Sequence, residues 1–104
     1  WLILDEPVAN LDIAHQLKIM ELARSYALDG GGVMAVMHDL NLTGLFADRV
    51  IVLSQARILA VGAPAEVFTD EILSQAYGCT VRVNTVPKNE VPFILPQAAA
   101  AELS

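Results

Sequence analysis

The chain has 104 residues, of which 55% are hydrophobic and 17% are charged, and its formal net charge at pH 7 is −6. This length allows one small domain at most, and so apolar a composition excludes a disordered chain. The acidic balance argues against nucleic acid or an anionic membrane surface as a direct partner, since both attract clustered Lys and Arg. No apolar run reaches the roughly 18–20 residues that cross a membrane, so we expect no direct membrane insertion.

The N-terminus has neither a starting methionine nor the pattern of a signal peptide. A mean hydropathy of +0.50 is high for so small a soluble domain, and the chain opens inside an apolar run. We therefore expect the chain to be the C-terminal fragment of a larger protein. Cys79 is the single cysteine, which excludes an internal disulfide and suits a reducing compartment.

The first predicted strand begins at Trp1 and leads through Leu4 into Asp5, Glu6 and Pro7. An unbroken apolar run is typical of a parallel strand buried on both faces, and ligands of such sheets bind at the carboxyl ends of the strands. Adjacent side chains on a strand point to opposite faces, so one acid can hold a cation while the other faces a water. The alternative, that the two acids only end the strand and cap the next helix, stays open at this point.

A helix is predicted over residues 13–28, with Asp12 as its N-cap and His15 facing solvent. Its apolar stripe consists of Ile13, Leu17, Met20, Ala23 and Ala27. Three glycines at 30–32 are predicted to end the helix with a left-handed C-cap. They are not a phosphate loop, because the pattern Gly-x-x-x-x-Gly-Lys-Ser/Thr occurs nowhere in the chain.

A second buried strand, residues 33–37, leads into His38 and Asp39, and Asp39 is placed to cap a short helix over 41–47. Residues 49–54 and 57–61 read as a hairpin at the edge of the sheet, joined by a tight turn at Gln55 and Ala56. Helices are predicted over 64–68, started by a proline, and over 70–77, capped by Thr69. The alternating pattern of residues 80–86 predicts a half-exposed strand. Residues 97–104 are alanine-rich and suggest a frayed helical turn.

Polar residues follow each of the first two strands, and parallel strands joined by one crossover end on the same side of a sheet. Asp5, Glu6 and His38 should therefore surround one site. The set suits phosphoryl transfer from a Mg²⁺-bound nucleotide. Asp5 would hold Mg²⁺ through water, Glu6 would orient or deprotonate the attacking water, and His38 would donate to the γ-phosphate. The competing interpretation of His38 is a helix cap or a surface residue.

Several segments together resemble the second half of an ATP-binding cassette (ABC) ATPase, over residues 1 to about 78. The matching segments are Leu-Ile-Leu-Asp-Glu-Pro at 2–7, Ala-Asn-Leu-Asp at 9–12, Met-His-Asp-Leu at 37–40, Ala-Asp-Arg-Val at 47–50, Gln-Ala-Arg at 55–57 and Gly-Ala-Pro-Ala-Glu-Val at 62–67. The first three correspond to the Walker B strand, the D-loop and the switch histidine of that family.

The resemblance implies an α/β fold: the C-terminal part of a P-loop NTPase (RecA-like) parallel sheet with flanking helices, plus a small α+β appendage. It divides the chain into a nucleotide-binding part at 1–62, C-terminal helices and a strand at 63–87, and a Pro/Ala-rich tail at 88–104. It assigns catalysis to Glu6 and His38, Mg²⁺ binding to Asp5, and an inter-subunit contact with the ATP site to Asp12 of the D-loop.

The resemblance also implies ATP and Mg²⁺ as cofactors, a homodimer of ATPase subunits and transmembrane permease subunits as partners. The expected location is cytoplasmic, peripheral on the inner face of the cell membrane. Residues 11–16, 38–42 and 81–97 are similar to importers of haemin, iron-siderophore or cobalamin, and the last segment favours haemin.

Two departures from the family pattern matter. The phosphate-binding loop, the Q-loop glutamine and the Leu-Ser-Gly-Gly-Gln signature would lie upstream of Trp1, so the chain alone should be inactive and bind nucleotide weakly. Ala56 stands where the family usually has glycine, which predicts a strained turn.

Two alternative functions stay open. One is a non-enzymatic, self-associating truncated module, suggested by apolar faces left uncovered. The other is a cassette ATPase of non-transport type, against which the 80–97 segment argues.

Overall fold

A computed structural model describes residues 1–87 and 91–94 of the chain. These residues form eight elements: β1 (Leu2–Asp5), α1 (Ile13–Leu28), β2 (Val33–Val36), α2 (Leu40–Phe46), β3 (Val50–Ser54), β4 (Arg57–Gly62), α3 (Pro64–Val67) and α4 (Asp70–Tyr77). They belong to two compact units, one running from Trp1 to Phe46 and the other from Ala47 to Ile94. The motif-based segments at 1–62, 63–87 and 88–104 remain a prediction.

The first unit is the predicted β-α-β crossover. Strands β1 and β2 pair in parallel, with Leu2 opposite Val33 and Asp5 opposite Val36, and α1 connects them. The core contains Val8, Met20, Leu42 and Phe46, with the partly buried Leu17, Ile19, Met37 and Leu45 packed against it. Two stripe residues of α1, Met20 and Leu17, thus lie in or against the core as the helical period predicts.

The expectation that β1 is buried on both faces is wrong for the described chain. Ile3 is 75% exposed, and Met34 on β2 is 57% exposed. The sheet of this unit has two strands, α1 packs against β2, and a single crossover helix covers at most one face of a sheet. The apolar run therefore forms the strand that its sequence favours without the cover that would bury it.

Helix α1 ends in a Schellman motif, as the glycine run predicts. Gly30 has a φ of +95°, its N–H donates to the Ala27 carbonyl at 3.2 Å, and the N–H of Gly31 donates to the Tyr26 carbonyl at 3.1 Å. These two bonds satisfy carbonyls that the last helical turn leaves without partners. The cap fixes the point where the chain turns back into β2.

Helix α2 begins and ends with side-chain hydrogen bonds. Asp39 Oδ1 accepts from the N–H of Leu42 at 3.0 Å, which confirms the predicted cap, and Thr43 Oγ1 donates to the Asp39 carbonyl at 2.8 Å. At the other end Arg24 Nη1, from α1, donates to the Phe46 carbonyl at 2.9 Å. A cation at a helix C-terminus complements the helix dipole, so this bond joins α1 to α2.

In the second unit, β3 and β4 form an antiparallel hairpin with a two-residue turn. Gln55 and Ala56 have φ values of +51° and +61°, the type I′ geometry that matches the twist of paired strands. Among the described residues the hairpin forms a sheet of its own and does not hydrogen-bond to the β1–β2 sheet, so the expected edge position is wrong. A hairpin satisfies its ladder locally, whereas joining another sheet needs an additional partner edge.

The turn predicts a stabilising substitution, Ala56→Gly. An L-residue in the left-handed region costs roughly 1–2 kcal/mol, and the extra unfolded-state entropy of glycine offsets about half of that gain. We expect the free energy of unfolding to rise by about 0.5–1 kcal/mol, measured by urea unfolding. The matched control Ala60→Gly, inside β4, should lower it by about the same amount. If Ala56→Gly and Ala60→Gly lower the free energy of unfolding equally, the backbone at Ala56 is not strained.

Local caps define the last two helices. Glu66 Oε1 accepts from the N–H of Ala63 at 2.9 Å as α3 begins with its proline, and Thr69 Oγ1 accepts from the N–H of Ile72 at 3.2 Å at the start of α4. Gly78, with a φ of +69°, ends α4. Helix α4 has the predicted boundaries, whereas α3 begins where predicted and ends one residue early, at Val67. No helix of the described chain combines the length and apolar character needed to cross a membrane.

Residues 80–86 do not form the predicted strand. Their backbone groups bond to side chains of α4: Ser74 Oγ accepts from the N–H of Val81 at 2.9 Å and donates to its carbonyl at 3.2 Å, and Asp70 Oδ1 accepts from the N–H of Val83 at 2.7 Å. Asn84 has a φ of +56°, which breaks the extended geometry. Alternation alone cannot make a strand without a neighbouring strand. The predicted turn at 97–104 lies outside the described residues.

Removing the Asp70 carboxylate should release this segment. In Asp70→Ala, we expect amide hydrogen exchange at Val83 to accelerate at least about tenfold, since one net hydrogen bond to a charged group contributes about 1.5–3 kcal/mol. Glu71→Ala, one residue along α4, is the matched control and should leave the exchange at Val83 unchanged. Equal exchange rates in both variants would show that Asp70 does not hold the segment.

Candidate functional site

The carboxyl ends of β1 and β2 bring the predicted acids and imidazole to one edge of the sheet. The ladder continues one bond past the strands, because the N–H of Glu6 donates to the Val36 carbonyl at 2.9 Å. Asp5 is the last residue of β1, and His38 follows β2 by two residues. Glu6 and His38 therefore meet at this edge of the sheet, and Asp5 directly precedes Glu6 at the end of β1.

Glu6 and His38 are in direct contact. His38 Nε2 lies 2.5 Å from Glu6 Oε1, and the two side chains are 74% and 43% exposed, respectively. The pair is short, open to water and accessible to a ligand. Sequence reasoning predicted that Glu6 and His38 share one site, but not that their side chains are in contact.

The loop between β1 and α1 turns Glu6 out of the strand. Glu6 has a φ of +47° and Asn10 a φ of +64°, and the loop is closed by bonds from Ala9 N–H to the Glu6 carbonyl at 3.1 Å and from Leu11 N–H to the Val8 carbonyl at 3.3 Å. Left-handed backbone at a non-glycine residue costs roughly 1–2 kcal/mol and persists only where surrounding contacts impose it. Burial of Val8 in the core supplies such a contact.

Asp5 presents a carboxylate suited to Mg²⁺. Its side chain is exposed at the strand end, and among the described residues it forms no hydrogen bond or ion pair. The described chain contains no group of three or more His, Cys, Asp or Glu side chains that would enclose a metal. Mg²⁺ commonly keeps several waters and takes one or two carboxylates together with substrate phosphates. A single open carboxylate fits that mode of binding.

Asp12 caps α1 as predicted and also contacts a side chain. Its Oδ1 accepts from the N–H of His15 at 2.9 Å and lies 2.7 Å from His15 Nδ1. The backbone bond from His15, followed by the side-chain bond, lowers the pKa of the Asp12 carboxyl below its ordinary value. The cap therefore stabilises α1 above the unfolded-state pKa of Asp12 and is lost as the pH falls through the folded-state pKa.

Sequence reasoning missed the role of His15 as a partner of Asp12. The imidazole is exposed, as expected, yet it is not free. The spacing Asp-x-x-His resembles a capping box, in which the residue three positions after the N-cap reaches back toward it, and this spacing would have predicted the pair. The contacts of Asp12 are with His15 and not with Glu6 or His38.

The comparisons with known proteins agree on one family. The chain is 61% identical over 99 residues to the hemin import ATP-binding protein HmuV of Jannaschia sp. (strain CCS1), which covers 95% of this chain and 37% of that protein. It is 56% identical over 99 residues to the HmuV protein of Rhizobium meliloti (strain 1021), covering 95% of this chain and 38% of that protein. No protein-family model matches the chain.

Solved structures extend the likeness to three dimensions. Residues covering 71% of this chain superpose on 30% of cbiO1 from Clostridium perfringens, part of the ABC transporter complex cbiONQ, with a TM-score of 0.61 and 33% identity. The chain belongs to the ATP-binding cassette ATPases. An inward-facing putative metal-chelate type ABC transporter shares the fold, with a TM-score of 0.71 and 21% identity over 94% of this chain and 40% of that one.

The predicted family and fold class are thus confirmed. The chain spans less than two fifths of the length of the curated cassette ATPases that it matches. The curated relatives are ATP-binding proteins by name, and the described part of this chain contains the Glu6–His38 contact and the Asp5 carboxylate.

Proposed function

We propose that this chain is part of the ATP-hydrolysing subunit of an ABC importer, and that the imported compound is haemin. The observation that carries the ATPase role is the 2.5 Å contact between Glu6 and His38 at the end of parallel strands, beside the open carboxylate of Asp5. The curated relatives named as hemin import proteins support the substrate.

The proposed chemistry uses each side chain where the geometry places it. Asp5 would hold Mg²⁺ through water, and the bound ion would supply charge neutralisation at the phosphates. Glu6 accepts the proton of the attacking water, for which an exposed carboxylate is accessible. His38 Nε2, which lies against Glu6 Oε1 in this structure, would donate to the γ-phosphate when the nucleotide is present.

The proposal includes the assembly. Two ATPase subunits form a homodimer in which Asp12 of the D-loop contacts the neighbouring ATP site, and the dimer binds permease subunits on the inner face of the membrane. Full turnover belongs to that assembly, and the enzyme class is a transport-coupled ATPase, a translocase. The 104 residues alone contain no phosphate-binding loop, so we expect them to be inactive.

Uptake measurements test the substrate. A strain in which the gene encoding this chain is deleted should lose growth on haemin as the iron source and keep growth on inorganic iron. Growth should return when the gene is supplied on a plasmid. Undiminished growth on haemin, together with lost uptake of a ferric siderophore or of cobalamin, would assign the importer to that compound instead.

Self-association is a second candidate function, favoured by one observation on the β3–β4 hairpin. Ile51 and Val61 lie opposite each other, as do Leu53 and Ile58, and all four side chains are exposed. An aliphatic patch of this kind favours association in water. Light scattering measures the molar mass of the purified chain in solution and tests this function. A concentration-dependent dimer would support it, and a monomer at high concentration would exclude it.

A further inference from the structure

His15 has a contact that helix capping does not require. The cap of α1 needs only the backbone N–H of His15, which donates to Asp12 Oδ1 at 2.9 Å. The imidazole adds a second bond from Nδ1 to the same oxygen at 2.7 Å. Both side chains are largely exposed, at 69% and 67%, so burial does not impose the pairing. An exposed carboxylate with two bonds to one oxygen is held in one orientation, whereas one bond leaves it more freedom.

The Asp12–His15 pair lies at one end of a loop whose other end is in the candidate site. The loop runs from Glu6, which contacts His38, to Asp12, and Val8 anchors its middle in the core. Two left-handed residues, Glu6 and Asn10, leave this loop few alternative paths between its ends. Asp12 is thus the residue at which this loop and the Asp12–His15 pair meet.

The surroundings make Asp12 the group that responds to the charge of His15. Helices and strands packed against α1, namely α2 and β2, contain no titratable side chain. On α1 the next charged residues are Lys18 and Glu21, which are exposed. Protonation of His15 thus converts its bond with Asp12 into a charge-assisted one without an equal effect elsewhere.

We propose that His15 is a positioning residue of this ATPase: its imidazole orients the Asp12 carboxylate at the end of the loop that starts at Glu6. The proposal rests on the proposed function. In the proposed mechanism His15 contacts neither the nucleotide nor the attacking water. It acts through Asp12, which the proposed dimer places at the neighbouring ATP site.

The test uses the full-length ATPase in its transporter complex. His15→Ala keeps the backbone cap and removes the second bond, and we expect kcat to fall about tenfold or more, since small misplacements of a functional group reduce rates by up to ~100-fold. The KM for ATP should stay the same. His15→Asn, which restores a donor at similar reach, should recover most of the rate, and Lys18→Ala is the control that should change nothing.

The pH profile separates positioning from a structural role. The ratio of the wild-type rate to the His15→Asn rate should depend on pH near neutrality, because a protonated imidazole binds a carboxylate more strongly than a neutral amide does, and an amide does not titrate. An equal ratio at every pH, or no rescue by Asn, would overturn the proposal.

A second readout does not depend on catalysis. By carbon-detected NMR, the pKa of the Asp12 carboxyl should rise in His15→Ala toward its ordinary value and remain unchanged in Lys18→Ala. An unchanged pKa of Asp12 in His15→Ala would show that the two side chains do not interact.

The ATPase measurements separate the two proposals. A wild-type complex without ATPase activity would reject the proposed function. An active wild type with an equally active His15→Ala variant would reject only the positioning role.

Discussion

Glu6→Gln is expected to slow ATP hydrolysis by the full-length protein about 10²–10⁴-fold while ATP binding is retained. The carboxylate accepts the proton of the attacking water in the proposed mechanism, and the amide that replaces it is nearly the same size but cannot. The Glu6 side chain is 43% exposed and contacts an exposed imidazole, so the substitution should not disturb the fold. Steady-state hydrolysis and equilibrium binding of labelled ATP, measured on the same preparation, give both results.

The matched control is Glu21→Gln, the same chemical change on the exposed face of α1. It should hydrolyse ATP at the wild-type rate. If the Glu6→Gln protein turns over normally, Glu6 is not the base; if it binds no ATP, the residue serves binding rather than chemistry.

His38→Ala is expected to lower kcat about 10²–10³-fold, the usual effect of removing one donor that stabilises transition-state charge. His38→Gln keeps a donor and should lose less. The melting temperature should change little in either variant, because the imidazole is 74% exposed and lies outside the core.

The two substitutions should also interact. Since Nε2 of His38 and Oε1 of Glu6 are in contact, the double variant should be about as slow as Glu6→Gln alone, and the free-energy effects should not add. Fully additive losses would show that the two side chains act independently and that their contact has no part in catalysis.

Elements defined by local chemistry were predictable from the sequence. Asp12, Asp39 and Thr69 start helices through hydrogen bonds within one turn, and Gly30 and Gly78 end them through a left-handed backbone. Each of these interactions lies within a few residues of chain, so the residue type and spacing suffice to place it.

Features that depend on distant neighbours were not predictable. The exposure of β1 follows from what covers the sheet, and residues 80–86 lack a neighbouring strand and bond instead to Asp70 and Ser74. The alternating pattern of that segment was real, but a period of two residues describes only how side chains point.

The candidate site divides in the same way. The position of Asp5, Glu6 and His38 at one edge follows from the parallel crossover, which the sequence indicates. The direct contact between Glu6 and His38 depends on the left-handed backbone of Glu6, which the core contact of Val8 helps to impose. No local pattern encodes that backbone, because glutamate rarely adopts it.

The most direct test of the account is a structure of the full-length Glu6→Gln protein with Mg²⁺ and ATP. The account predicts His38 Nε2 within about 3.2 Å of a γ-phosphate oxygen, and the Asp5 carboxylate bonded to a water of the Mg²⁺ shell. A triphosphate bound away from the carboxyl ends of β1 and β2, with neither His38 nor Asp5 near it, would contradict it.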